Sequence, residues 1–431
     1  MDCHSNHSVF LRADGSLACW DDAGSRRTLH SFDPTVDASQ QVVFGSVFGE
    51  IRRKLHKGNM PFPDVCQDCM VFASGACFNP GWAANKEILI FQVEPSIACT
   101  LECPGCMTLA ERKKRHGPPW NLEMGIFEKY LSDFKRDGVT VRTIDFQGHG
   151  EPLINRNVWQ MVSLARSHFP DANVSMCTNA HGVFESSQVR SGISEMIFAI
   201  DGVDQESFEK NRARGSFEKA YSFMKAFCHG AVAEGRDIKT VWKYILFDCN
   251  DSREHLLRAQ ELASEAGVNE LLFVNSQLGL RASKVFSLED IPAFDSSVVI
   301  RMSSYLANFH DVLHSIDKAR FALFQLDQNG ASANLMFSSN MIRRRFACLS
   351  PTDELPEEYQ ALVYEILDLS ADPQFDEQTR LRIKGGLHSL LSKLAISLLE
   401  AKNLIIRWKS EEVVRLATQL ASQPNSDNAV M

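Results

Sequence analysis

The residues best placed to do chemistry are three cysteines at CxxxCxxC spacing, Cys99-Thr-Leu-Glu-Cys103-Pro-Gly-Cys106. Three thiolates can hold three irons of a cubane [4Fe–4S] cluster and leave the fourth iron open, free to chelate an amino and a carboxylate group. Zinc is the competing occupant, but a structural zinc usually takes four protein ligands and this loop supplies three. Lys243, in Trp-Lys-Tyr-Ile-Leu, is a second reactive group. Strand alternation turns it either inward, where it could bind substrate or act as a base, or outward.

These residues need a scaffold, and the middle of the chain supplies one. Short β-branched or apolar runs alternate with helical patterns, the rhythm of βα units around a parallel sheet. Strands are predicted at Ile88 to Val93, Val141 to Phe146, Asn173 to Cys177, Glu195 to Ile200, Ile238 to Phe247 and Glu270 to Val274. Helices start near Leu122, Asn155, Phe184, Asp204 and Ser252, several with a capping Asn, Asp or Ser. Such a series predicts an α/β fold, a partial (β/α)6 TIM-like barrel whose chemistry sits where strands end and βα loops begin. The cysteine loop directly follows the first of these strands.

Three regions are expected: a Cys-rich module over 1–85, the barrel over 86–285, and a mainly helical region over 286–431. The last shows helical apolar spacing from Glu357 to Asp368, Asp376 to Lys402 and Ser410 to Ala421, then a polar tail. Composition, with 44% hydrophobic and 23% charged residues, is that of a globular protein. A net charge of -9 argues against a nucleic-acid surface, and the clusters Arg112 to Arg115 and Arg343 to Arg345 are too short to reverse that. Neither a secretory signal nor an apolar run of ~18 residues is present, so no membrane partner and a cytoplasmic location are expected. In a reducing compartment, twelve cysteines read first as metal or cluster ligands.

Taken in order along the chain, Glu87 to Ser276 resembles the radical S-adenosylmethionine (radical SAM) superfamily. Besides the cysteine loop, Gly148-His149-Gly150-Glu151-Pro152 resembles the family's Gly-Gly-Glu-Pro segment, which contacts the methionine amino group of the cofactor. Thr178-Asn179 matches relatives reading Thr-Asn-Gly, and Ala199-Ile200-Asp201-Gly202 is similar to Ser-Ile-Asp-Gly. Phe208 to Gly215 resembles the next helix and loop, in which Arg212 would meet the methionine carboxylate. Every piece falls at the carboxyl end of a successive predicted strand. Two positions depart from the pattern: Gly105 replaces a frequent aromatic residue, leaving adenine to Met107 or another apolar residue, and Ala199 lacks the usual hydroxyl.

The resemblance implies that reductive cleavage of S-adenosylmethionine at the cluster gives a 5'-deoxyadenosyl radical that abstracts a substrate hydrogen. Cys3, Cys19, Cys66 and Cys69, with Cys77 as a spare, resemble the auxiliary-cluster module called SPASM or twitch, placed here before the barrel. Four thiolates would complete an auxiliary iron–sulfur cluster, although a CxxC pair with two distant cysteines also suits zinc. The expected reaction is oxidation or epimerisation of a sugar, nucleotide-sugar or aminocyclitol, with an electron donor such as flavodoxin or ferredoxin. Cys249 or Cys177, near strand ends, could return hydrogen to a substrate radical. Modification of a ribosomally made peptide is the alternative; a non-enzymatic zinc-binding or sensor protein is a third.

Overall fold

The structure, a computed structural model, describes residues 3–19, 27–66, 81–104, 106–115, 118–275, 283, 285 and 288–304. The chain divides into two units, and all described residues lie in the one formed by residues 1–276 and 281–305. The helical segments expected after residue 305, Cys69 and Cys77 lie outside the described residues.

Among the described residues ten strands form one sheet: β1 Ser8–Leu11, β2 Leu17–Ala18, β3 Thr28–His30, β4 Glu87–Val93, β5 Thr140–Phe146, β6 Asn173–Thr178, β7 Glu195–Ala199, β8 Lys239–Leu246, β9 Glu270–Asn275 and β10 Val299–Ser304. Their order is β10-β9-β8-β7-β6-β5-β4-β1-β2-β3. All six predicted strands, β4 to β9, pair in parallel with their sequence neighbours. The α/β fold with a parallel sheet therefore stands, and the sheet stays open because β10 and β3 are its edges.

Two parallel strands extend the expected series. β10 joins β9, and β1 joins β4, so the amino-terminal residues enter the sheet instead of standing apart. Val9, Leu11, Leu17, Val43 and Phe48 share the main apolar core with the barrel strands. A four-residue strand such as Ser-Val-Phe-Leu is too short for its periodicity to announce it.

Strand alternation divides the sheet into two faces. Ile144, Phe146, Met176, Met196, Phe198, Trp242, Tyr244 and Phe273 are buried on the helix-covered face. There Phe146 meets Phe127 of the helix Met124–Arg136, and Phe198 meets Phe227 of the helix Phe217–Ala233, at 5.8 and 5.6 Å between rings. Each fully buried phenylalanine contributes about 2 kcal/mol. Asp145, Ser175, Cys177, Ala199 and Lys243 occupy the other face, where Asp145 pairs in register with Ser175 and Ala199 with Lys243. Ser252 caps the helix Arg253–Ala266 by accepting the His255 amide, as its sequence position predicts.

Candidate cluster and cofactor site

All parallel strands deliver their carboxyl ends to one end of the sheet, and the cysteine loop leaves β4 there. Residues 148–152 leave β5, Thr178 and Asn179 end β6, Asp201 follows β7, and Cys249 follows β8. Short polar contacts then tie the loops together. The Glu151 amide donates to the Ala98 carbonyl at 2.7 Å. Asn179 Nδ2 donates to Cys99 Sγ at 3.5 Å and to Thr100 Oγ1 at 3.3 Å.

Gly150 makes the first of these contacts sterically feasible. A Cβ on it would lie 2.1 Å from the Ser96 carbonyl oxygen and 2.6 Å from that of Ala98, so only glycine lets the two loops touch. Glu151 is buried behind them. Its Oε1 accepts from Thr178 Oγ1 at 2.6 Å and the Leu153 amide at 3.1 Å, and its Oε2 accepts from the Asn179 amide at 2.7 Å. Burial raises the carboxyl pKa, and these donors oppose the rise. Ala180, next in line, is held at φ 62° in the left-handed region, a conformation that a Cβ disfavours.

Arg212 joins two other loops. Its Nε donates to Asp201 Oδ2 at 2.6 Å, and its Nη1 lies 3.9 Å from Cys103 Sγ. Asp201 is fixed in turn by the Ile245 amide at 2.8 Å, while Asn250 Nδ2 donates to the Asp201 carbonyl at 3.0 Å. Cys249 sits beside this arm, with Asn211 Nδ2 at 3.1 Å from its sulfur.

Cys99 and Cys103 are half-buried and Cys106 is exposed. Burial raises the pKa of both half-buried thiols, and the nearby cations Arg112, at Cys99, and Arg212, at Cys103, pull in the opposite direction. Among the described residues no three His, Cys, Asp or Glu side chains are gathered at metal-binding distance. Ligation therefore requires this loop to draw its sulfurs together. The donor set suits an anionic thiolate cluster: soft sulfur ligands, two flanking guanidinium groups and an amide donor aimed at one sulfur.

Lys243 and Cys177 share the face opposite the helices with Asp145. Burial pushes the Asp145 carboxyl up to about 6, against the Ser175 hydroxyl at 2.6 Å and the Lys243 charge. Burial likewise raises the Cys177 thiol, again opposed by Lys243. Among the described residues the amino-terminal cysteines are not gathered into a three-ligand group. Cys3 and Cys66 pack against Ile51 and Leu55, and Cys19 Sγ lies 3.8 Å from Ser5 Oγ.

Three participants escaped the sequence reading. Glu94 accepts the His149 amide at 2.8 Å and the Ala13 amide at 3.3 Å. Arg112, buried in the helix Leu109–Arg115, donates to the His149 carbonyl at 2.6 Å. His181 stacks on Phe208 with ring centres 6.0 Å apart, and it bridges the Asn179 carbonyl and the Ser216 amide, each at 2.9 Å. Only the proximity of Glu94 and His181 to strand ends marks them in sequence.

Residues 96–222 match the family model described as a 4Fe-4S single cluster domain. Among curated proteins, none matches the chain in sequence. Several solved structures are similar over part of their length. SuiB from Streptococcus suis is 14% identical, with 54% of this chain and 56% of that chain covered and a TM-score of 0.35. A radical SAM methyltransferase from Sphaerobacter thermophilus is 13% identical, over 49% of this chain and 64% of that chain, with a TM-score of 0.36. The radical S-adenosylmethionine methyltransferase TsrM from Kitasatospora setae is 10% identical, over 45% and 37%, with a TM-score of 0.34. The chain thus spans less than two thirds of the length of each. No helix among the described residues is long and apolar enough to cross a membrane.

Proposed function

We infer that the chain belongs to the radical SAM superfamily and that Cys99, Cys103 and Cys106 hold its [4Fe–4S] cluster. The match of residues 96–222 to a 4Fe-4S single cluster domain supports the cluster. The observation that carries the reading is the convergence of successive strand-end loops on the cysteine loop, with Arg212 running from Asp201 to Cys103 and Asn179 reaching Cys99. When bound, the cluster supplies one electron for breaking a carbon–sulfur bond of S-adenosylmethionine, which starts hydrogen abstraction from a substrate.

The chain's own residues bind and orient. Backbone groups of residues 148–150 and the fixed carboxylate of Glu151 line the place for the methionine ammonium, and Arg212 supplies the cation for its carboxylate. Asn179 and Arg212 donate toward sulfur and stabilise the thiolate form of Cys99 and Cys103. Lys243, Asp145 and Ser175 offer a cation, a carboxylate and a hydroxyl to a polar substrate on the inner face. That chemistry favours a hydroxyl-bearing or amino-bearing molecule, a sugar, nucleotide-sugar or aminocyclitol, undergoing oxidation or epimerisation. An extended peptide is the alternative substrate, and an external donor such as flavodoxin or ferredoxin would deliver the electron.

Anaerobic reconstitution with iron and sulfide, followed by reductant and S-adenosylmethionine, tests the reading. 5'-Deoxyadenosine is expected, and it should vanish when Cys99, Cys103 or Cys106 becomes Ala. A protein with its full iron content that makes none overturns the assignment, and a colourless protein with zinc replaces it with a binding role.

A further inference from the structure

The helix Leu109–Arg115 begins shortly after Cys106, whose side chain is exposed. One of its bases, Arg112, turns inward and is buried against the His149 carbonyl at 2.6 Å. The next two are left to the surface. Lys114 is exposed, and Lys113 is half-buried with its Nζ 3.7 Å from the centre of the Trp120 ring. Glu111, the acid of this helix, is folded back on Thr108, where it accepts the amide at 2.7 Å and the hydroxyl at 2.8 Å. Among the described residues no carboxylate pairs with Lys113 or Lys114.

Trp120 is 43% exposed, although an indole is costly to leave in water. Its segment is tied to the cysteine loop, since the Ile97 amide donates to the Trp120 carbonyl at 3.0 Å. Asn155 Nδ2 joins the β5 loop to the same place, donating to the Pro95 and Leu122 carbonyls at 2.8 and 3.0 Å. Arg156, next in the chain, is exposed and also lacks a carboxylate partner among the described residues. An exposed tryptophan under a lysine, with further unpaired cations, has the make-up of an interface anchor with charges that steer a partner in. On a chain of net charge -9, these cations set positive charge beside the cysteine loop.

We propose that Trp120, Lys113, Lys114 and Arg156 form the docking surface for a small acidic electron-carrier protein. This rests on the radical SAM reading, which requires one electron from outside for each cleavage. The carrier loses one electron and the cluster site gains it, with no bond formed or broken in the transfer. The place suits that occupant, because exposed Cys106 leaves its edge of the cysteine loop open to a partner seated on the following helix. The groups offered to substrate, Asp145, Ser175 and Lys243, stand instead on the sheet face. Three cations are too few for a nucleic-acid track, whereas a few rim charges suffice to speed the approach of an acidic protein.

Reduced flavodoxin and reduced ferredoxin are the probes, each against the reconstituted full-length chain, with dithionite as a small reductant that needs no docking surface. Lys113→Glu combined with Lys114→Glu should weaken carrier binding at least tenfold, measured by calorimetry at low ionic strength. Carrier-driven 5'-deoxyadenosine formation should slow in proportion, while dithionite-driven formation stays at the parent level. Glu123→Lys, which removes an exposed acid just after Trp120, should shift binding and carrier-driven rate the other way. Added salt should erase these differences. If the double variant fails to fold, Lys114→Glu with Arg156→Glu, both exposed positions, gives the same test. A parent that binds neither carrier, or charge variants that match the parent with both, overturns the docking surface and leaves the superfamily reading in place. Absence of product with dithionite overturns that reading instead, and calorimetry judges the surface separately.

Discussion

Glu94 Oε1 accepts the His149 amide at 2.8 Å, from a position so close that a Cβ on Gly148 would lie 2.4 Å from the Glu94 side chain. Arg112 holds the His149 carbonyl from the other side at 2.6 Å. Both backbone polar groups of His149, in successive peptide units of the Gly148 to Pro152 loop, are therefore fixed, one by a buried acid at the end of β4 and the other by a buried base in the helix after the cysteines. Glu94 Oε2 also accepts the Ala13 amide, which couples this loop to the amino-terminal hairpin.

Burial pushes the Glu94 carboxyl up to about 7 from its ordinary 4.5. The folded state then binds more protons than the unfolded state between those values, so Glu94 lowers stability progressively as pH rises from about 4.5 to 7. Glu94→Gln removes that titration. Its melting temperature relative to the parent should rise between pH 5 and pH 8, in melts at constant ionic strength. A difference that is flat or falls over this range rejects the assignment of Glu94 as a buried carboxyl with a raised pKa.

His181 titrates in the opposite sense. The Ser216 amide can only donate and the Asn179 carbonyl can only accept, so the ring is neutral with its proton on Nδ1. Burial lowers its pKa below 6.5. The stabilisation is full above 6.5 and is lost as pH falls through the lower folded value, because protonated Nε2 repels the Ser216 amide. Acid destabilisation in this range should be shallower in His181→Gln than in the parent, and equal slopes would remove His181 from the account.

The six central strands and the strand-end motifs were legible in the sequence because a parallel strand buried by helices leaves a short apolar run, and βα turns leave glycines and caps. What connects them was not legible. Glu94, Arg112 and His181 act through backbone atoms of residues 55, 37 and 35 positions away. No local pattern encodes such contacts. β1 was missed because four residues are too few for a periodicity to show, and β10, Val299–Ser304, takes its place by pairing in parallel with β9.

Gly150 is where the cysteine loop and the β5 loop meet. Gly150→Ala forces backbone apart, since its Cβ would approach the Ser96 oxygen to 2.1 Å, and neither partner is a flexible side-chain end. S-Adenosylmethionine affinity, measured on reconstituted protein, should fall at least tenfold. Gly49→Ala, in the helix Ser46–His56 with open space at its Cβ, is the control and should raise stability by about 0.5–1 kcal/mol. Equal affinity in Gly150→Ala and parent would mean that the loop does not contact the cofactor.

Cys249 decides between the two proposed outcomes. Its sulfur is held by Asn211 at 3.1 Å, one residue from Arg212, which puts a thiol beside the proposed cofactor arm. If it returns hydrogen to the substrate radical, turnover in deuterated water labels the product, and Cys249→Ala abolishes the label while 5'-deoxyadenosine still forms. A product that stays unlabelled in the parent points instead to net oxidation.

Arg212 and Asp201 form the buried pair at the centre of the site, with side chains 15% and 3% exposed. Arg212→Met strands the Asp201 charge, and a buried pair broken on one side costs about 3 kcal/mol, somewhat less here because the guanidinium is partly solvated. Adding Asp201→Asn removes the stranded charge, so the double variant should recover most of the lost melting temperature. If Arg212 served only to balance Asp201, activity would recover with it. Its Nη1 faces Cys103, however, and under the proposed function it would meet the cofactor carboxylate there. The double variant should therefore fold and hold iron like the parent, yet bind S-adenosylmethionine at least tenfold more weakly and form 5'-deoxyadenosine correspondingly slowly. Full cofactor affinity in the double variant would reduce Arg212 to a structural counter-ion.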